Sequence, residues 1–286
     1  MGIISADIVK GGVDVKSPIN WYGGKYYMAD EIIKLFPKHK TYVEVFGGGA
    51  HILFRKQNSK IEVYNDINEG LYNFFKVLRS NPQEIIKKLQ LTPHSRKEFK
   101  KSKNWSEEKD DIEKARKFYI STMQAVNTNG GWSYAKRTSR RGMSARTSNW
   151  LSKVDKNLVD AVEKLRSIQV ENLDFRNCIK KYDSKETLFY LDPPYVLGSR
   201  DSKKGYKHEM SNEDHKTLVE ILLSIEGKVI ISGYENEIYK TIEGDDWNKK
   251  IIGEYSRRTV ETEKNSYKNE VVWFNFKEEN KQQTLF

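Results

Sequence analysis

The chain has 286 residues, with 50 Lys and Arg against 40 Asp and Glu, a formal charge of +10 and one cysteine. That length can bury a substantial core, either as one large domain or as one domain carrying an insertion, and a lone Cys178 excludes an internal disulfide and a cysteine-based zinc site. No apolar stretch approaches the ~20 residues that cross a bilayer, and the opening MGIISADIVKGG lacks a signal-peptide layout, so an intracellular protein without a membrane span is expected.

In chain order, TYVEVF (41–46) and KIEVY (60–64) are β-rich runs. GGGAHILFRKQ between them reads as a turn and a helix, which makes a βαβ unit. Asn81 and Pro82 open a helix whose apolar stripe is Ile85, Ile86 and Leu89. Ile112, Ala115, Tyr119 and Met123 predict another over 107–126. A Gly-, Ser- and Arg-rich loop is expected over 127–150, then an amphipathic helix carrying Val154, Leu158, Ala161 and Leu165. TLFYL, KVIIS and EVVWFNF return to strand character around a helix starting near Ser211. His215 on that helix reads equally as a surface residue or a functional one, and the five scattered histidines assemble no metal site. Residues 1–16 and 277–286 read as loosely held.

The positive charge is localised. Between Glu113 and Asp155 there is no acidic residue, yet Lys114, Arg116, Lys117, Lys136, Arg137, Arg140, Arg141, Arg146 and Lys153 lie there and account for nearly the whole excess. Interleaved with Gly130, Gly131, Trp132, Tyr134 and Gly142, the segment has the composition of a phosphate-contacting loop.

Four strand ends carry chemistry. VEVFGGGAH puts Gly47, Gly48 and Gly49 directly after a strand, where backbone can approach a ligand closely, and YNDIN sets Asp66 about 20 residues further on, where an acid can accept both hydroxyls of a ribose. Asp174 offers a second acid at another strand end, with Phe175 beside it as a candidate wall for a purine. In LFYLDPPYV, Pro193 and Pro194 lack N–H donors and lock their φ angles, so the chain leaves the sheet stiffly and holds Asp192 and Tyr195 in place.

PINWYGGKYYM (18–28), VEVFGGGAHILF, YNDIN and LDPPY, in this order, resemble the motifs of the Dam-like adenine-specific DNA methyltransferases. The resemblance implies an α/β fold with a doubly wound, largely parallel, Rossmann-like sheet ending in an antiparallel hairpin. It places the catalytic domain at 1–75 and 166–286, and a mainly helical target-recognition subdomain, inserted at 76–165. It also implies S-adenosylmethionine as cofactor, contacted by Trp21, Lys25, Phe46, Gly47, Gly48, Gly49, Asp66, Asp174, Phe175 and Asp192. Methyl transfer to N6 of an adenine flipped out of double-stranded DNA would fall to Asp192, Pro193, Pro194 and Tyr195. Asp192 and the Pro193 carbonyl would accept the amino hydrogens while Tyr195 stacks on the base. Lys136, Arg137, Arg140, Arg141 and Arg146 would meet the DNA, although NTNGGWSYAKRTSRRGMS differs from the hairpin of GATC-specific relatives.

N4-cytosine methylation poses the same chemical problem and is the nearest alternative; a non-catalytic DNA-binding module of the same fold is another. The resemblance further implies a cytoplasmic, bacterial or phage-encoded monomer. Gln282, Thr284, Leu285 and Phe286 match the Q-x-x-L-F peptides that dock on the replicative sliding clamp, a second expected partner.

Overall fold

The computed structural model describes residues 15–126, 130–196, 208–244, 246–257 and 266–278; the clamp-like Gln282–Phe286 peptide lies outside them. Seven strands form one sheet: β1 (Thr41–Glu44), β2 (Ile61–Asn65), β3 (Ile168–Glu171), β4 (Thr187–Leu191), β5 (Lys228–Tyr234), β6 (Asn248–Arg257) and β7 (Ser266–Phe274). Their order is β3-β2-β1-β4-β5-β7-β6, with β3 to β5 across the sheet parallel and the β6–β7 hairpin antiparallel. β1 and β4 are buried along their whole length, as strands covered on both faces must be.

Alternation along the strands builds two cores. Tyr42, Tyr64, Leu188, Tyr190, Ile230 and Val272 face one way, toward α1 (Ala29–Lys34), α2 (His51–Arg55), α3 (Glu69–Ser80), α4 (Pro82–Gln90), α6 (Asp111–Met123) and α8 (Leu158–Leu165). Val43, Val63, Phe189, Leu191, Ile231 and Trp273 face the other, toward α9 (Phe175–Tyr182) and α10 (Asn212–Ser224). The remaining helices are α5 (Arg96–Ser102) and α7 (Ala145–Ser152). Within the 82–165 stretch, α4, α6, α7 and α8 therefore share one core with the sheet face they cover.

Several local expectations are corrected. The helix foreseen over 107–126 starts only at Asp111, because the Asp110 side chain caps it by accepting from Glu113 N, while Trp105–Glu107 forms a separate 3-10 turn. The loop foreseen to residue 150 gives way to α7 at Ala145, which runs through a π-helical turn, Lys153–Asn157, into α8. Val15, inside the stretch read as loosely held, packs into the core. His215 is no surface residue: it is fully buried under α10, with Nδ1 2.8 Å from the Tyr239 hydroxyl. The start of α10 is as expected, with Ser211 and Asp214 closing a capping box.

Successive strands run outward from β1 to β3 in one direction and from β4 to β6 in the other. The order in which strands are added thus reverses between the parallel β1 and β4, and the crevice beyond the carboxyl ends of these two strands is where open α/β sheets take ligands. Among the described residues no helix is long and apolar enough to cross a membrane.

Candidate active site

The crevice is a cleft enclosing about 730 Å3 with its open mouth, lined from both sides of the β1/β4 divide. From β1 the chain turns through Phe46, Gly47, Gly48 and Gly49, all on the lining. Gly47 N donates to Asn65 O at 2.8 Å, which ties the loop to the end of β2. A Cβ at residue 47 would overlap the Tyr64 ring, and Gly48 adopts φ +47, so neither position accepts a side chain without strain. Trp21 packs against Gly48 and joins the lining.

Asp66 closes this loop from β2. Its Oδ2 accepts from Gly48 N and its Oδ1 from Asn68 N, both at 2.8 Å. Burial raises its pKa to about 6, against the pull of those two N–H donors. Each carboxylate oxygen keeps a lone pair beyond the one already used. Asn65, the residue before it, bonds Val45 O and both backbone groups of Leu173, so the ends of β1, β2 and β3 are locked to one another.

On the other side, Asp192 follows β4 directly and lines the same cleft, as does Pro194; Pro193 is buried. The buried Lys25 holds Asp192 by both oxygens, Nζ lying 2.7 Å from Oδ1 and 2.8 Å from Oδ2, and Ser232 Oγ donates to Oδ1 at 3.1 Å. The Lys25 ammonium also donates to Gly23 O at 3.0 Å and lies 3.5 Å from the carboxylate of Glu270 on β7. Burial disfavours the lysine charge, but Asp192 and Glu270 outweigh it and raise the pKa, so Lys25 stays cationic. Tyr195 is buried with its hydroxyl donating to Glu270, its ring edge-on to Tyr234 at 4.6 Å and 5.1 Å from Lys25 Nζ.

Three lining or network residues escaped the sequence reading. Glu44 ends β1 inside the cleft; its Oε2 accepts from Tyr42 OH and Leu53 N at 2.9 Å each, and burial pushes its pKa up to about 8. His51 opens α2 on the lining, and its buried Nδ1 has no hydrogen-bond partner among the described residues. Burial, with Lys153 and Lys25 nearby, depresses its pKa to about 4. Glu270 is the third.

Asp174 and Phe175 lie apart from the lining. The Asp174 side chain caps α9 and pairs with Arg176, whose guanidinium covers the Phe175 ring at 4.3 Å. Among the described residues, Phe175 packs its ring 5.8 Å from that of the lining residue Phe46.

The basic stretch divides sharply. On α6, Lys114 pairs with Glu69, Arg116 with Glu113 and Glu98, and Lys117 with Glu108, while Lys153 bonds Asn20. Lys136, Arg137, Arg140, Arg141 and Arg146 are exposed and make no ion pair among the described residues. Residues 138–144 fold back on themselves: Thr138 bridges Ser144, Ser139 N donates to Met143 O at 2.8 Å, and Gly142 at φ +72 lets the tip turn with Arg140 and Arg141 on it. Trp132 stacks between His94 and Tyr134 behind this loop, and Tyr134 is 62% exposed.

Residues 21–265 match the model of the D12 class N6 adenine-specific DNA methyltransferases. The chain belongs to this family. It is accordingly an enzyme that methylates adenine N6 in DNA, and the family implies a methyl donor. Among its relatives are the modification methylase StsI of Streptococcus sanguinis, 26% identical over 221 residues, and the type II methyltransferase M1.LlaDCHI of Lactococcus lactis subsp. cremoris, 27% identical over 251. A third is the type II methyltransferase M.MjaIII of Methanocaldococcus jannaschii, 25% identical over 249 residues. These matches cover 71%, 81% and 78% of the chain. The chain spans about a third of the StsI methylase, 33%, but 87% and 86% of the other two.

Proposed function

We propose that the cleft binds S-adenosylmethionine and that Asp192, Pro193, Pro194 and Tyr195 act on an adenine flipped out of double-stranded DNA. The observation that carries this reading is the position of Asp192: it lies on the wall of the cleft that Asp66 and the glycine loop close, and it is held there by Lys25. The residues fit the donor. Asp66 offers one unused lone pair on each oxygen, the arrangement two ribose hydroxyls require, and Trp21 and Phe46 supply apolar walls. The buried His51 Nδ1 offers one more polar atom without a partner among the described residues.

When bound, the donor supplies an electrophilic methyl group on a sulfonium. The protein's part is to prepare N6, whose lone pair is delocalised into the purine ring. A carboxylate has about four acceptor positions. Lys25 takes one on each oxygen of Asp192 and Ser232 takes a second on Oδ1, which leaves Oδ2 able to accept an amino hydrogen. With the Pro193 carbonyl as the other acceptor, N6 is drawn toward tetrahedral geometry, and the positive charge it gains is met by acceptors already in place. Unstacking the base costs about a few kcal/mol, repaid in the pocket.

In the same reading, residues 1–75 and 166–286 carry the chemistry and 76–165 the DNA recognition. Support comes from the five exposed cations at Lys136, Arg137, Arg140, Arg141 and Arg146, which have no acid to neutralise among the described residues. Asp192→Ala should abolish methylation of a DNA substrate while leaving DNA binding largely intact; substantial turnover by that variant refutes the assignment.

A further inference from the structure

The catalytic carboxylate does not stand alone with its cation. Lys25 bonds both oxygens of Asp192, so that pair by itself sums to zero charge and has nothing left over for the positive charge that N6 acquires. The second buried acid, Glu270, stands opposite Tyr234 on β5 and Gly253 on β6, reaches the same ammonium at 3.5 Å, and accepts the Tyr195 hydroxyl. With both carboxyls ionised, Lys25, Asp192 and Glu270 together carry a net charge of −1.

We propose that Glu270 is a positioning residue for methyl transfer, which supplies the excess negative charge of the Lys25–Asp192–Glu270 cluster and fixes the Tyr195 ring against which the base stacks. This rests on the reading of Asp192 given above. The N6 lone pair forms the bond to the methyl carbon, the sulfur–carbon bond breaks with its electrons going to sulfur, and N6 is cationic until its proton passes to the Asp192 carboxylate through Oδ2 and from there to solvent. A net-negative cluster stabilises that cation more than a neutral one, in which Asp192 acts only as an oriented acceptor. Glu270 acts through Lys25 and Tyr195, without touching the base itself. β7 brings it there from 75 residues beyond Tyr195 in sequence.

Glu270→Gln separates the two roles, since the amide oxygen can still accept the Tyr195 hydroxyl but the charge is gone. Single-turnover methylation should slow ~10- to 100-fold, somewhat less than the 10²–10³ lost with a group in direct contact. DNA affinity and the fluorescence of 2-aminopurine placed at the target position, which reports flipping, should stay at wild-type levels. Glu270→Ala should lower both the rate and the flipping signal. A wild-type rate in Glu270→Gln, in an enzyme that Asp192→Ala inactivates, overturns the proposal without touching the Asp192 reading; a rate loss matched by lost DNA affinity also overturns it, because that is what a merely structural residue gives.

The pH profile provides an independent arm. Glu270 is faced by Lys25, Asp192, Tyr195, Tyr190 and Tyr234. Burial raises its pKa, Asp192 adds to this, and Lys25 and Tyr195 pull against it. The ionised form is the active one, so the wild-type rate should be full at high pH and fall as pH drops through that raised pKa, and this limb should vanish in Glu270→Gln. If the Gln variant does not fold, Tyr195→Phe, which fits the same space, removes a donor that favours ionised Glu270 and should move the limb to higher pH. A limb unmoved by these changes refutes the assignment.

Discussion

Glu44→Gln is expected to make the protein's stability less sensitive to alkali. A glutamate in the unfolded chain ionises near 4.5, whereas Glu44 in the folded cleft keeps its proton to about 8. Between those values the folded state holds a proton that the unfolded chain has lost, so stability falls as pH rises, by ~1.4 kcal/mol per pH unit. The group's contribution is complete below pH 4.5 and is lost as pH rises through 8, ~5 kcal/mol in all. The amide of a glutamine reproduces the protonated acid: its oxygen accepts from Tyr42 OH and Leu53 N, and its NH2 stands where the carboxylic proton stood. Urea unfolding of both proteins at pH 5, 7 and 9 should show the variant gaining ~3 kcal/mol on the wild type between pH 5 and 7, and more by pH 9. Every other titrating group cancels in the difference. Parallel stability profiles would mean that Glu44 is ionised in the fold and that the account of its burial is wrong.

Asp66→Ala should weaken S-adenosylmethionine binding by about 1–3 kcal/mol, the scale for leaving polar partners unmatched, and in the wild type affinity should decline as pH falls below about 6, where the Asp66 carboxyl protonates. Calorimetry across pH 5 to 8 reads both, and an unchanged affinity removes the ribose-acceptor role. Substitutions at Arg137, Arg140 and Arg141 should divide into two kinds. Loss of a phosphate contact lowers affinity on all sequences and reduces the salt slope by about 1, while loss of a base reader costs about 1–3 kcal/mol at one position of the target. Unchanged affinity and salt slope in the triple substitution would put recognition elsewhere.

The parts of the site visible in the sequence are those held within one strand and its following turn. Glycines after β1, Asp66 after β2 and Asp192 with its prolines after β4 each announce themselves locally, and a parallel sheet automatically brings strand ends to one edge. Glu44 and Glu270 gave no such signal. Glu44 lies between Val43 and Val45 and Glu270 within β7, and whether an acid in a strand faces a cleft or a partner depends on sheet order, which puts β7 beside β5 although β6 precedes it in the chain. Asp174 was legible by its place after β3, while its cap on the first turn of α9 and its pair with Arg176 were not. The charge of α6 was equally opaque. Its cations looked continuous with those of the loop because Glu69, Glu98 and Glu108, which neutralise three of them, lie outside the acid-free window.

That division of labour among the cations bears on how the protein can change. A substitution at Lys114 or Arg116 abandons a carboxylate and disturbs helix packing. One at Arg140 or Arg141 leaves no acid behind, and the turn that presents them is closed by backbone bonds from Thr138 to Ser144 that do not depend on which side chains stand at its tip. Exposed replacements of this kind move stability by no more than ~0.5 kcal/mol. On the reading proposed for this loop, its exposed cations can therefore be exchanged one by one at little cost to the fold, with Gly142 as the one tip position that the backbone constrains.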